Sequence, residues 1–199
     1  MKKNFYAVRK GKTPGIYFTW DDCNAQVKGF KGAEYKKFSS LEEANDFINQ
    51  TQSNTIELDE SSIIAYVDGS YNIHTKIFGY GLVLIDKDGL ETSLKDSIDH
   101  EAYSEHRNVA GEVYGSIEAI KWAINNGYKK IYIHYDYAGI GHWAKGEWKA
   151  NKELTQNYKA FIDSVKDQID LEFIKVKAHS NNKYNDLADR LAKDACDIK

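Results

Sequence analysis

From residue 63 onward, the apolar and polar positions alternate between strand-like and helix-like patterns. Residues 63–67 form a wholly apolar run, which is typical of a strand buried on both faces. Residues 78–85 form a second apolar run, and the turn Asp88-Gly89 predicts a hairpin that leads into a third strand at about 90–95. Val109, Val113, Ile117, Ile120 and Ile124 then recur at helical spacing until Gly127, which predicts an amphipathic helix.

The remainder of the chain continues the alternation of strand and helix. A strand is predicted at 131–135, a helix at about 152–167, a strand at 171–177 and a last helix at 185–195. Because a strand, a helix and a second strand usually form a parallel crossover, we expect 131–135 to lie parallel to an earlier strand. The pattern therefore predicts the α/β class, with a mixed sheet flanked by helices.

The first fifty residues form a separate pattern. Short strands are expected at 5–8 and 16–19, Thr19 with Asp22 favours a helix over 20–27, and Ser40 with Glu43 is a capping box for a helix over 41–48. The pattern indicates a small ββαβα module over 4–48, and the polar residues that follow it indicate a linker. We expect a first domain at 1–50, a linker at 51–61 and a second domain at 62–199.

Charge is distributed unevenly along the chain. The net charge is −3, yet residues 1–50 carry nine Lys and Arg against six Asp and Glu, so the acidic excess lies in the larger unit. A basic first unit suggests contact with a polyanion, and an acidic second unit suggests cation binding. Cys23 and Cys196 are expected to be free thiols, and the absence of a secretory signal or a long apolar run predicts a cytoplasmic protein without a membrane segment.

Four carboxylates lie where the predicted elements can bring them together. Asp68 and Asp136 each end an apolar strand, while Glu112 and Asp189 lie on predicted helices. Carboxylates at the carboxyl edge of a parallel strand pair suit a divalent cation such as Mg²⁺, which prefers hard oxygen ligands. For the two helical residues, simpler roles remain open. Glu112, in the first turn of its helix, would be stabilised by the helix dipole, and Asp189 could form an i,i+4 ion pair with Lys193.

The ordered motifs around these residues resemble type I ribonuclease H. The resemblance lies in Tyr66-Val67-Asp68-Gly69-Ser70, in 107–112, in His134-Tyr135-Asp136, in 176–179 and in 185–192. It implies a ribonuclease H-like, mixed five-stranded sheet flanked by helices. It also implies an endonuclease that hydrolyses the RNA strand of RNA–DNA hybrids by two-metal-ion catalysis, leaving 5′-phosphate and 3′-hydroxyl ends.

The resemblance also implies individual roles. Asp68 would bridge both metal ions, Glu112 and Asp136 would complete the site on the leaving-group side, and Asp189 would hold the metal that activates water. His179 would assist proton transfer or product release, and Asp186 would be accessory. Asn108 would contact the minor groove of the hybrid, or would instead be the N-cap of its helix.

The aromatic and basic residues of the first unit resemble the hybrid-binding domain of that family. The resemblance implies that Tyr6, Trp20 and Tyr35 face the DNA strand and that Lys36 and Lys37 contact its phosphates; the alternative is that Tyr6 and Trp20 are core residues. The segment 143–152 interleaves aromatics with lysines and is either a hybrid-holding protrusion or a packed amphipathic segment.

Taken together, the sequence predicts a two-part ribonuclease H. We expect two Mg²⁺ ions per site, with Mn²⁺ as a substitute, and an RNA–DNA hybrid as the partner. We also expect a monomer with no obligatory protein partner. The alternative is an RNA–DNA hybrid-binding protein with little or no catalytic activity.

Overall fold

The computed structural model describes residues 4–49, 56–176 and 182–198, and the chain divides into two compact units, Met1–Glu57 and Leu58–Lys199. The first unit contains β1 (Phe5–Lys10), β2 (Gly15–Tyr17), α1 (Trp20–Val27), β3 (Glu34–Phe38) and α2 (Leu41–Asn49). Its sheet has the order β2-β1-β3, and β1 is antiparallel to both neighbours. Thr19 caps α1 by accepting a hydrogen bond from the Asp22 backbone N–H, as its position predicts.

The second unit is built on a five-stranded sheet of order β6-β5-β4-β7-β8. Its strands are β4 (Ser62–Tyr71), β5 (Phe78–Ile85), β6 (Glu91–Ile98), β7 (Lys130–Tyr135) and β8 (Asp170–Lys175). Strands β4, β5 and β6 pair antiparallel, while β7 runs parallel to both β4 and β8. The predicted mixed five-stranded sheet is thereby confirmed.

Helices cover this sheet on both faces. They are α3 (Glu101–Ser104), α4 (Asn108–Asn125), α5 (Gly139–Lys145), α6 (Glu153–Val165) and α7 (Lys183–Ala195). The main core includes Val67, Ile133 and Ile120 and lies on the face covered by α4, whereas Tyr66, Val83 and Ala188 pack together on the α7 face. Neither α3 nor α5 was predicted, because a helix of one or two turns carries too few apolar repeats to give a periodic signal.

Two glycines allow helices α4 and α7 to touch the sheet. A Cβ on Gly69 of β4 would lie 2.0 Å from the Asn108 carbonyl oxygen of α4, and one on Gly81 of β5 would lie 2.0 Å from the Ala188 oxygen of α7. Gly81 pairs directly with Asp68 across the β4–β5 ladder. The sheet therefore brings both helices to within backbone contact beside Asp68.

Candidate active site

The parallel pair β4 and β7 places two of the predicted carboxylates side by side. Tyr66 pairs with His134 in register, and their rings stack with centroids 4.4 Å apart. Two positions further along, Asp68 lies within β4, which continues to Tyr71, and Asp136 is the first residue after β7. The two carboxylates are close enough that the charge of Asp136 raises the pKa of Asp68.

Glu112 joins this pair from helix α4. It is only 2% exposed, and its Oε1 accepts hydrogen bonds from the backbone N–H groups of Asp136 (3.0 Å) and Tyr137 (3.2 Å). Burial raises the pKa of Glu112 well above its usual value, and the charges of Asp136 and Asp68 raise it further. Glu112 is the fifth residue of α4, so the expectation that it lies in the first turn was wrong, and the helix dipole does not account for its position.

Asp68 is held in a similarly unfavourable environment for a charge. Burial, together with the nearby charge of Asp136, raises its pKa from 3.8 to about 7, and Asp189 adds a smaller effect in the same direction. Its Oδ1 accepts a 2.7 Å hydrogen bond from the Gly69 N–H. Asp68, Glu112 and Asp136 therefore form an electrostatically coupled cluster of three carboxyl groups.

Asp189 reaches the cluster from α7, on the face that Gly81 allows to approach the sheet. Its Oδ2 lies 2.7 Å from the Lys193 ammonium, which confirms the predicted i,i+4 pair. Asp189 is thus paired with Lys193 and also lies close to Asp68, since the charges of both Asp189 and Lys193 affect the pKa of Asp68. Asp186 is exposed in the first turn of the same helix.

The carboxylates fit a divalent cation by donor chemistry. Oxygen ligands suit Mg²⁺, and a bound cation would offset the mutual repulsion that raises the pKa values of Asp68 and Glu112. Within residues 4–49, 56–176 and 182–198, no three acidic, histidine or cysteine side chains are already oriented as a metal-binding group. Binding would therefore require side chains such as Asp189 to exchange their present partners.

Two other predicted site residues, His179 and Asn108, do not join this cluster in the described structure. His179 lies outside the described residues. Asn108 is the first residue of α4 and not its N-cap, which is Arg107, a non-glycine residue with a φ of 51°. The alternative role of Asn108 as N-cap was therefore wrong.

Asn185 was not predicted from sequence. It is 3% exposed, lies four residues before Asp189 on α7, and its Oδ1 has no hydrogen-bond partner within the described structure. A buried amide oxygen without a partner is costly, and Asn185 lies on the same helix as Asp189, about one turn away. The only sequence signal was its i,i+4 spacing from Asp189.

A cavity of about 380 Å³ adjoins the end of β7. It is lined by His106, Val109, Tyr137, Trp143, Lys149, Asn151, Lys152 and Thr155. The segment 143–152 has both packed and exposed side chains, and its role in holding a hybrid stays a prediction. Trp143 packs against Tyr137 with ring centroids 5.7 Å apart, while Trp148 is 43% exposed and Lys149 faces the cavity.

In the first unit, three of the predicted contact residues form a continuous aromatic surface. The ring of Trp20 lies 5.9 Å from those of both Tyr6 and Tyr35, and Trp20 and Tyr35 are 45% and 46% exposed. Lys37 pairs with Tyr6 in register, and its ammonium lies 5.9 Å from that ring. We call Tyr6, Trp20, Tyr35 and Lys37 the aromatic platform.

Lys36 lies on the other face of the same strand. Its ammonium is 5.5 Å from the Phe38 ring, and Phe38 packs against Phe47 of α2. Because alternate residues of a strand face opposite sides, Lys36 and Lys37 cannot both extend directly from the aromatic platform. The exposure of Trp20 also contradicts the alternative that it is a core residue.

Among the described residues, no helix has the length and apolar character needed to cross a membrane.

Comparisons with known proteins cover both units. The model of the ribonuclease H1 N-terminal domain matches residues 4–48, and the RNase H model matches residues 60–197. A ribonuclease H of Saccharomyces cerevisiae is 60% identical over 47 residues, which are 24% of this chain but only 14% of that protein. Human ribonuclease H1 is 25% identical over 253 aligned positions, covering 96% of this chain and 88% of the relative.

A solved structure shares the fold of the second unit. It is a ribonuclease H1 in complex with an RNA/DNA hybrid, with a TM-score of 0.56, 21% identity, and coverage of 68% of this chain and 96% of that one.

Proposed function

Because the chain belongs to the ribonuclease H family, we propose that it hydrolyses the RNA strand of RNA–DNA hybrids at internal positions, leaving 5′-phosphate and 3′-hydroxyl ends. The observation that carries the proposal is the cluster of Asp68 from β4, Glu112 from α4, Asp189 from α7 and Asp136, the residue that follows β7. The human relative, which aligns with 96% of this chain, and the hybrid complex of the structural relative support the choice of substrate.

Asp68, Glu112, Asp136 and Asp189 are the residues that would hold two Mg²⁺ ions, or Mn²⁺ in their place. When bound, such ions would supply Lewis-acid stabilisation of the phosphoryl oxygens and a nucleophilic water at neutral pH. The raised pKa values of Asp68 and Glu112 fit this role, because a carboxylate cluster that is unfavourable when empty favours cation binding.

The chain itself contributes orientation. The two backbone N–H groups that bind Glu112 fix this carboxylate relative to the end of β7, so its position depends little on side-chain rotation. Asp68 is fixed more loosely, by one backbone N–H group. The cavity beside Tyr137, with Lys149 and Lys152 in its lining, provides a positively charged surface on which a nucleic-acid backbone can rest.

The aromatic platform of the first unit would bind the DNA strand of the hybrid. Base or sugar stacking on Trp20 and Tyr35 suits their exposure, and Lys37 adds contact with phosphate. Tethering substrate to the chain raises its local concentration at the second unit, so this surface should affect affinity more than chemistry.

The decisive experiment compares the wild type with Asp136→Asn on hybrids labelled on either RNA or DNA, with duplex RNA as the negative control. We expect the wild type to cut internal RNA bonds of the hybrid alone in Mg²⁺. We expect Asp136→Asn to lose cleavage while its hybrid affinity, measured by fluorescence anisotropy, stays close to that of the wild type.

Asp88→Asn is the matched control, because Asp88 is an exposed aspartate in the β5–β6 turn and should behave as wild type. Full activity of Asp136→Asn would disprove the site. Binding without cleavage by the wild type, in both Mg²⁺ and Mn²⁺, would instead identify a hybrid-binding protein without catalytic activity.

A further inference from the structure

The cationic side chain of Lys193 lies at the acidic cluster and has no place in the function proposed above. Its ammonium is 2.7 Å from Asp189 Oδ2, and the two side chains are 46% and 29% exposed. An exposed i,i+4 pair of this kind contributes little to stability. However, the pair lies close enough to Asp68 for both of its charges to affect the pKa of that carboxyl group.

The sheet brings this pair close to Asp68. Gly81 pairs with Asp68 on the neighbouring strand, and a Cβ on Gly81 would lie 2.0 Å from the Ala188 oxygen and 2.6 Å from the Ala192 nitrogen. Ala188 and Ala192 are each adjacent in sequence to a member of the Asp189–Lys193 pair. This turn of α7 therefore lies against the strand position opposite Asp68, and the charge of Lys193 partly counters the effect of Asp136 and Asp189 on the pKa of Asp68.

We propose that Lys193 is an internal counter-cation, which holds Asp189 when no divalent ion is bound and competes with that ion for the carboxylate. The inference rests on the proposed function, since it takes Asp189 as a metal ligand. A divalent ion must displace the ammonium from Asp189 and then bind close to its positive charge. Lys193 thereby raises the metal concentration that the site requires.

The size of the effect follows from the charges. A monovalent and a divalent cation separated by roughly 6–8 Å in a solvent-exposed site repel each other enough to change affinity about three- to tenfold. Because the site is partly exposed, added salt should reduce the effect.

The test measures metal binding directly, on the full chain without nucleic acid. Mn²⁺ is titrated into the protein and the free ion is followed by electron paramagnetic resonance, with the Mg²⁺-dependent rise in Tm as a second readout. Lys193→Met, which keeps the aliphatic stem, should bind Mn²⁺ about three- to tenfold more tightly than the wild type. Lys193→Arg, which keeps the charge, should remain close to the wild type.

Lys95→Met is the matched control. Lys95 forms an ion pair of 3.0 Å with Asp194, the residue after Lys193, on the same helix. Removing this charge should change Mn²⁺ affinity much less, because Asp194 is not part of the acidic cluster. Circular dichroism establishes that each variant is folded.

The outcomes separate the two proposals. Equal or weaker Mn²⁺ binding by folded Lys193→Met would overturn the counter-cation role while leaving the metal site intact. A gain of the same size in Lys95→Met would also overturn it, since the effect would then reflect net charge alone. Absence of Mn²⁺ binding by the wild type would instead refute the metal site of the proposed function.

Discussion

Replacing Asp68 by asparagine should stabilise the metal-free protein while it abolishes cleavage. In the folded protein, burial and the charge of Asp136 raise the pKa of Asp68 from 3.8 to about 7. The ionised carboxylate therefore opposes folding at neutral pH. Asparagine has nearly the same shape and can still accept the hydrogen bond from the Gly69 N–H, but it carries no charge.

The pKa difference sets an upper limit for the gain. A rise from 3.8 to about 7 corresponds to roughly 4 kcal/mol in the free energy of unfolding. Because water and side-chain rotation relieve part of this cost in a partly exposed cluster, we expect a gain of about 1–3 kcal/mol.

The gain should depend on pH with a definite sign. Below about pH 3 the carboxyl group is protonated in both the folded and the unfolded chain, so aspartic acid and asparagine should be about equally stable at that site. Between about pH 4 and 7 the folded state retains a proton that the unfolded state releases, and the wild type loses stability as the pH rises. The advantage of Asp68→Asn should therefore grow over this window and be complete above about pH 7.

Urea unfolding in the presence of a chelator, at about pH 5, 6.5 and 8, measures this difference. Asp96→Asn is the matched control, because Asp96 is an exposed residue whose Oδ1 accepts the same kind of bond from the next backbone N–H, at 2.8 Å. Saturating Mg²⁺ should reduce the advantage, since binding stabilises only the folded wild type. A gain that is absent, or that does not change with pH, would refute the reasoning.

Further predictions concern the aromatic platform and the helix contacts. Trp20→Ala should raise the KM for hybrids about five- to thirtyfold with little change in kcat, because it removes a stacking surface worth roughly 1–2 kcal/mol. Phe18→Ala, which removes an exposed aromatic side chain outside the platform, is the control; an equal increase in its KM, measured by steady-state kinetics, would count against the platform. Gly81→Ala should destabilise the fold by roughly 2 kcal/mol or more, because its methyl group would overlap the Ala188 oxygen. Gly15→Ala, whose nearest neighbour would be the Tyr17 hydroxyl at 3.8 Å, should cost far less. Equal Tm values for the two variants would contradict the close approach of α7.

Much of the fold could be predicted because its signals are local. The apolar run at 63–67, the Asp88-Gly89 turn and the helical repeat from Val109 to Ile124 each specify an element through neighbouring residues. The helix predicted at 185–195 begins two residues earlier, at Lys183. Its start is fixed by Asn182, whose side chain accepts hydrogen bonds from the Tyr184 and Asn185 backbone N–H groups.

The site residues also include some that the sequence predicts and some whose placement depends on the fold. The order of Asp68, Glu112, Asp136 and Asp189 along the chain was readable, and it carried the family resemblance. Strand alternation implies that Lys36 and Lys37 face opposite sides of β3. This follows only once both residues are known to lie within the strand Glu34–Phe38.

The sequence by itself thus determined the elements, the mixed sheet and the identity of the acidic residues, because periodicity and turn chemistry act between near neighbours. Only the tertiary structure decided how these residues interact. The bonds from the Asp136 and Tyr137 backbone to Glu112, the burial that raises the pKa of Asp68, and the position of Lys193 beside the cluster all join segments far apart in the chain. Such distances and burial depend on how closely two glycines let the helices approach the sheet, which no local pattern encodes.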